Sequence, residues 1–102
     1  MKATIDRKRY DTETAREIAR YSNGLGNGDF RNVSESLYVT KNGNYFLSGS
    51  GGAMTKYSEG NGNSTWGSSA IIPMTREEAY EWCERHGQDV IDAEFPDMIQ
   101  EA

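Results

Sequence analysis

Residues 36–57 read SLYVTKNGNYFLSGSGGAMTKY, and this stretch decides the fold. Two runs with high β-propensity, Leu37–Thr40 and Tyr45–Ser48, flank the dipeptide Asn42-Gly43. Asn-Gly tolerates positive φ at both central positions of a type I′ turn, whose twist matches that of paired strands. The stretch therefore predicts a β-hairpin in which Lys41 lies opposite Asn44.

A third strand is predicted directly after the hairpin. Gly49, Gly51 and Gly52 remove side chains where the chain must bend again, so residues 53–57 can return antiparallel to the second strand. Aliphatic and aromatic residues alternate in the first strand, which gives the sheet one aliphatic face and one aromatic, hydroxyl-bearing face. The pattern indicates an antiparallel meander with one buried face.

Residues 3–6 and 8–10 indicate a short strand or a tight β-turn pair. A helix is predicted over residues 12–22, before the hairpin. Asp11 or Thr12 can cap its first turn, and its apolar stripe consists of Ala15, Ile18 and Ala19. Asn23-Gly24 ends it, because glycine readily adopts the left-handed conformation that follows a helix. In the connection 25–34, Phe30 and Val33 are expected to anchor the chain to the core.

A second helix is predicted over residues 75–86. Thr75 and Glu78 form a capping box, and Gly87 stops the helix. Its inward stripe is Ala79, Trp82, Cys83 and His86. Before it, residues 70–74 form a last strand that is ended by Pro73, which cannot donate to a β-ladder. After it, a short helix precedes Phe95-Pro96.

The predicted fold class is α+β: a three- to four-stranded antiparallel sheet, arranged as a meander, with two helices packed on one face. At 102 residues the chain forms a single domain, residues 1–102, with a modest core, since only 35% of its residues are hydrophobic. We expect no transmembrane span or signal peptide, and the single cysteine, Cys83, is typical of a reducing cytoplasm. A monomer is expected.

The net charge of −5 is concentrated in the last quarter of the chain. Residues 1–20 hold six basic and four acidic side chains, whereas residues 77–102 hold one basic and nine acidic ones. Phosphate would repel this acidic C-terminal segment, so it is not expected to bind nucleic acid directly, and a basic partner surface would attract it.

A row of carboxylates on the second helix is the main candidate for a partner-binding site. Glu77, Glu81 and Glu84 are spaced four and three residues apart and therefore share one exposed face. Their spacing along the axis is about 4.5–6 Å at ~1.5 Å per residue, which is of the order of the charge spacing on a nucleic-acid strand. The row is expected to continue through Asp89, Asp92, Glu94, Asp97 and Glu101. One interpretation is a surface that imitates DNA, and the other is a face that only increases solubility.

The remaining candidates are weaker. The polar loop 58–69 is expected to be mobile. Trp66, isolated in it, either fixes the loop to the rest of the protein or binds a partner. The tyrosines could form a contact patch on one sheet face. Cys83 and His86 could supply only two metal ligands, which do not make a site, so no metal or cofactor is expected. The single histidine lacks the partners of a catalytic triad, so catalysis is not expected.

Several segments carry a resemblance to known proteins: RYDTETA at 9–15, IARYSNG at 18–24, ESLY at 35–38, GNYFL at 43–47, GGAMTKY at 51–57, IPMT at 72–75 and EAYEW at 78–82. On these segments the chain resembles a family of small bacterial and mobile-element proteins, and in particular the phage-type anti-CRISPR proteins of the type I-C class. The resemblance implies a non-enzymatic, stoichiometric inhibitor in the cytoplasm of a bacterial host. Its partner would be a type I CRISPR surveillance complex, bound at the large PAM-reading subunit or where DNA enters.

Two alternatives from other classes stay open. One is a regulatory protein-binding module, antitoxin-like or transcription-associated, that uses the tyrosine-bearing sheet face. The other is a small enzyme, which would act at far below equimolar dose.

Overall fold

The structure, a computed structural model, describes residues 1–26 and 28–102. The described part has a four-stranded antiparallel sheet, a hairpin packed on one of its faces and helices packed on the other. The chain is therefore α+β, as predicted. Its elements in chain order are β1 Lys2–Ile5, β2 Lys8–Asp11, β3 Arg16–Ser22, β4 Val33–Val39, β5 Tyr45–Gly51, β6 Glu59–Gly60, β7 Thr65–Trp66, β8 Ser68–Met74, α1 Arg76–His86 and α2 Ile91–Glu94, with 3₁₀ turns at Gln88–Val90 and Pro96–Met98.

The central hairpin is confirmed, but its register differs from the prediction by one residue. Val39 lies opposite Tyr45, and the Thr40 amide donates to the Asn44 carbonyl at 2.8 Å. Three residues, 41–43, therefore form the loop, where two were predicted. The Gly43 amide donates to the Thr40 carbonyl at 2.9 Å, and only Gly43 has positive φ, at 84°. This is the three-residue loop built on a type I turn with a left-handed glycine. It places Leu37 opposite Leu47 on the core face.

The helix predicted over residues 12–22 is wrong, because residues 16–22 form β3 at one side of the sheet. A bulge between Glu17 and Ala19 interrupts the pairing with β4. It puts Ile18 and Ala19 together toward the core, and this breaks the two-residue alternation of a strand. The Asp11 carboxylate caps the tight turn before β3 by accepting from the Glu13 amide at 2.9 Å.

The third strand predicted over residues 53–57 is also wrong. The strand that pairs with β5 is β8, and the sheet order is β3-β4-β5-β8. Residues 53–57 instead form turns, in which the Met54 amide donates to the Phe30 carbonyl at 2.7 Å. Tyr57 then turns inward over Gly49 and is buried. The predicted last strand is present as β8, an outer strand, but it continues through Pro73 to Met74 and does not end at Pro73.

Helix α1 is confirmed with both of its ends. Thr75 and Glu78 form the capping box, and the Gly87 amide closes the last turn on the Cys83 carbonyl. Ala79, Trp82 and Cys83 are buried against the sheet, and His86, predicted to complete this inward stripe, is half-buried. The core they enter also contains Leu37, Leu47 and Phe95, which follows α2, the short helix predicted in the tail.

The N-terminal hairpin, β1 and β2, covers part of the second sheet face. Tyr10 is buried edge-on against Phe46 with 5.4 Å between ring centroids, and Tyr38 stacks on Phe46 at 5.2 Å. The sheet therefore has two buried regions, where one was predicted. In the connection 25–34, Val33 is half-buried as the start of β4, but Phe30 is 67% exposed and does not anchor the chain. Asn27 of that connection lies outside the described residues.

Candidate partner-binding surface

The exposed side of α1 carries the three carboxylates that the sequence placed there. Glu77, Glu81 and Glu84 are all exposed, while the opposite side of the helix is buried in the core. Glu84 accepts a hydrogen bond from the Tyr80 hydroxyl at 2.7 Å. Within residues 1–26 and 28–102, none of the three carboxylates forms an ion pair. We call these three residues the acidic face.

The predicted continuation of this row is only partly present. Asp89, Asp92 and Glu101 are exposed, but the chain turns at Gly87, so they do not continue the axis of α1. Asp97 forms an ion pair with Arg76 at 2.6 Å. Glu94 is half-buried and accepts two hydrogen bonds from the Arg16 guanidinium, at 2.6 and 3.0 Å. These hydrogen bonds hold the pKa of Glu94 below its usual value. Glu94 therefore ties α2 to β3 and offers little free charge to a partner.

A group of exposed apolar side chains lies at the end of the sheet where β4 begins and β5 ends. Phe30 is 67% exposed, Met54 69% and Trp66 47%. Phe30 and Trp66 line one depression of about 700 Å³, whose floor includes Gly51 and Gly52, and Phe30 with Met54 lines a second one of about 350 Å³. We call these three residues the apolar patch. Exposed apolar groups of this kind are common at protein–protein contacts.

The sequence identified only Trp66 of the apolar patch. Phe30 occurs in the same kind of polar, glycine-rich connection as Trp66, and this shared context could have identified it as well. The loop around Trp66 was predicted to be mobile. It contains the short ladder of β6 and β7, with Glu59 opposite Trp66.

The tyrosine-bearing sheet face predicted as an alternative contact surface is not formed. Four of the six tyrosines lie in strands, Tyr57 lies in a turn and Tyr80 lies in α1, and none is more than half-exposed. Most pack against another aromatic ring: Tyr10 and Tyr38 on Phe46, Tyr45 and Tyr80 on Phe95, and Tyr21 on His86 with centroids 3.8 Å apart. The tyrosines stabilise the fold, which is the default role of strand tyrosines.

A buried carboxylate, which the sequence did not reveal, joins the sheet to α1. Glu35 in β4 is only 4% exposed. It accepts hydrogen bonds from the Tyr57 hydroxyl at 2.5 Å and from the Trp82 Nε1 at 2.9 Å, and it forms an ion pair with Lys56 at 2.6 Å. Burial alone would raise the pKa of Glu35, but Lys56, Tyr57 and Trp82 together outweigh it and keep this pKa below its ordinary value. The three donors satisfy the carboxylate, so its role is structural.

The single cysteine and the single histidine do not form a reactive site. Burial raises the pKa of the Cys83 thiol to about 11, which keeps it protonated near neutral pH. Burial lowers the pKa of His86, whose ring stacks on Tyr21. In the described part of the chain, no three His, Cys, Asp or Glu side chains are grouped so that they could hold a metal ion. Over the same residues, no helix has the length and apolar character needed to cross a membrane.

Comparison with known proteins adds no relative. The chain matches no protein-family model, no curated protein sequence and no solved structure.

Proposed function

We propose that this protein is an anti-CRISPR inhibitor: a non-enzymatic protein that binds a type I CRISPR surveillance complex in equimolar amount and prevents target DNA from binding. The observation that carries the proposal is the acidic face, Glu77, Glu81 and Glu84, whose carboxylates form no ion pair within the described residues. The sequence resemblance to phage-type anti-CRISPR proteins supplies the class of partner.

The acidic face is costly to the isolated helix. Like charges at i and i+4 destabilise a helix by a few tenths of a kcal/mol per pair. Helix α1 tolerates them because the capping box fixes its first turn and Trp82 anchors it in the core. A row of charges maintained at a cost to local stability is consistent with selection for binding to a basic surface.

The proposed partner surface is the Lys- and Arg-rich region by which the surveillance complex reads the PAM or receives DNA. Carboxylates spaced about 4.5–6 Å apart along the helix can occupy positions that phosphates would occupy. Association driven by such complementary charge is fast and weakens as salt is added.

The test is a charge-reversed variant, Glu77→Lys/Glu81→Lys/Glu84→Lys, titrated against a purified type I surveillance complex before labelled target duplex is added. A matched control, Glu13→Lys/Glu59→Lys/Glu101→Lys, reverses three exposed carboxylates elsewhere and reaches the same net charge, +1 from −5. We expect the control to inhibit DNA binding at near-equimolar dose and the α1 variant to lose inhibition while its circular dichroism is unchanged. Full inhibition by the folded α1 variant would refute the acidic mechanism. Normal DNA binding in the presence of the wild-type protein would refute the proposal that it excludes target DNA.

A second candidate function, a regulatory protein-binding module, is favoured by the apolar patch. Large apolar and aromatic side chains dominate the energy of protein–protein contacts when they enter a partner's pocket. Replacing Phe30 and Trp66 by serine removes two of the three side chains of the patch. Loss of partner binding in this variant, with retention in the α1 variant, would favour the module over the inhibitor.

A further inference from the structure

A cleft of about 360 Å³ lies between two hairpin turns at the end of the sheet opposite the apolar patch. One turn joins β1 to β2 through Asp6 and Arg7, and the other joins β4 to β5. The residues that line the cleft and carry polar side chains are Arg7, Lys8, Arg9, Thr40, Asn42 and Asn44.

The three basic side chains of this cleft are exposed and form no ion pair with any described residue. Five of the eleven basic side chains, at positions 16, 20, 31, 56 and 76, are paired with carboxylates. In the cleft, the Lys8 ammonium donates only to the Asn44 side-chain oxygen, at 3.4 Å. Asp6 is next to Arg7 in the turn but is not among the lining residues. The cleft is therefore a concentration of uncompensated positive charge, which attracts an anion.

The backbone that presents these cations is strained and firmly attached. Asp6 and Arg7 both have positive φ, at 51° and 67°, in a two-residue turn of the kind that usually contains Asn-Gly. Non-glycine residues persist in this region only where the surroundings fix them, and such positions are concentrated at binding sites. Here Tyr10 fixes the hairpin by packing edge-on against Phe46.

The cleft is far enough from the acidic face to act independently of it. The N-terminal hairpin and α1 pack on opposite faces of the sheet. Packed layers are about 10 Å apart, so the two charged surfaces are separated by on the order of 20 Å. This exceeds the Debye length of about 8 Å at physiological salt, so the acidic face does not cancel the attraction of the cleft for an anion.

We propose that this cleft binds the phosphodiester backbone of a single-stranded nucleic acid, an activity beyond the proposed inhibition. Arg7 in the turn and Lys8 and Arg9 in β2 line the same cleft, so their charges can contact neighbouring phosphates of one nucleic-acid chain. Two asparagine amides and a threonine hydroxyl supply neutral donors of the kind that position phosphates. The one aromatic residue at the cleft, Tyr10, is buried, so the cleft lacks the exposed apolar anchor of a protein-binding hot spot.

The test is fluorescence anisotropy with a labelled single-stranded DNA 20-mer of mixed sequence, titrated with the full-length protein at several salt concentrations. Wild-type protein is expected to bind with a dissociation constant of roughly 10⁻⁴–10⁻⁶ M, and the affinity should fall with salt with a logarithmic slope near −2, since about three phosphates are contacted. The variant Arg7→Asn/Lys8→Gln/Arg9→Gln should bind the 20-mer at least about tenfold more weakly than the wild type, and its affinity should depend much less on the salt concentration. Asparagine tolerates the left-handed position of Arg7, so this variant keeps the turn.

The matched control is Arg20→Gln/Arg31→Gln/Arg85→Gln, which removes three exposed basic side chains outside the cleft. This control is expected to bind like the wild type. Equal weakening of both variants would overturn the assignment to the cleft, as would the absence of wild-type binding at low salt. Displacement of the 20-mer by an equimolar amount of pyrophosphate would overturn the assignment to a backbone and indicate a small phosphate ligand. None of these results depends on a CRISPR complex, so this proposal can fail or succeed without the proposed function.

Discussion

Replacing Glu35 by alanine tests whether the buried carboxylate holds the sheet, the 53–57 turns and α1 together. The substitution removes the acceptor of the Tyr57 hydroxyl and of the Trp82 indole N–H, both of which are buried. Lys56 also loses its partner, but its side chain is 57% exposed and can be hydrated. The effect should therefore come from the two buried donors.

The magnitude follows from those two donors. A buried donor left without an acceptor costs about 1–3 kcal/mol, so Glu35→Ala is expected to lower the free energy of unfolding by about 2–5 kcal/mol. For a domain of this size the melting temperature falls by about 4–8 °C per kcal/mol, so a decrease of about 10 °C or more is expected. This would be a large part of a typical total stability of about 5–15 kcal/mol.

The assay is urea unfolding followed by far-ultraviolet circular dichroism. Glu17→Ala is the matched control, because Glu17 also accepts from a tyrosine and pairs with an arginine but is partly exposed on β3. Such an exposed pair is worth about 0–1 kcal/mol. If Glu35→Ala costs no more than Glu17→Ala, the buried network does not stabilise the fold and the reasoning is refuted.

Further predictions concern pH, chemistry and packing. The folded-state pKa of Glu35 lies below its ordinary value of 4.5. The stability that its ionised form contributes is therefore complete above pH 4.5 and is lost as the pH falls through the lower folded-state pKa. Acidification should thus reduce the difference in the free energy of unfolding between the wild type and Glu35→Gln. Cys83 should resist alkylation by iodoacetamide at pH 8 until urea unfolds the chain, and rapid modification of the native protein would contradict its burial. Gly49→Ala should destabilise the protein by more than about 1 kcal/mol, since the new Cβ would overlap the Tyr57 side chain, and an unchanged urea midpoint would show that this contact is loose. Thr75→Ala should cost about 1 kcal/mol by removing the helix cap, again measured by urea unfolding, with the exposed Thr65→Ala as a neutral comparison.

Helix α1 and its acidic face could be predicted because their signals are local. The capping box spans four residues, Gly87 marks the end, and the buried stripe repeats with helical spacing. Each of these signals depends only on neighbours along the chain. The exposed positions of Glu77, Glu81 and Glu84 then follow from geometry.

Strand β3 was predicted as a helix because its bulge imitates helical spacing. Ala15, Ile18 and Ala19 are three and four residues apart, which is the spacing of a helical stripe. In the structure the bulge after Glu17 turns adjacent residues toward the same core, so the two-residue alternation is lost. Pairing with β4 decides the conformation, and that partner is distant in sequence.

The Glu35 network and the cleft could not be predicted because they join distant segments. Glu35 meets Tyr57 and Trp82, which lie 22 and 47 residues further along the chain. The cleft is formed by two turns about 35 positions apart. The sequence predicted the turn at Asn42-Gly43 and, as one of two interpretations of residues 3–10, a tight β-turn pair, but it did not show that the two turns meet. In each case the sequence shows which residues are present, but only the order of the strands in the sheet brings them close together.

The two outer strands of the sheet both resist the addition of a further strand. Strand β8 contains Pro73, which has no N–H to offer an incoming strand, and β3 is distorted by its bulge and carries charged side chains beside it. Natural sheets use these features to avoid edge-to-edge aggregation. Partners that dock by extending a host sheet are therefore disfavoured here, as are amyloid-like stacks of this chain. Recognition must proceed through side chains on the faces and turns.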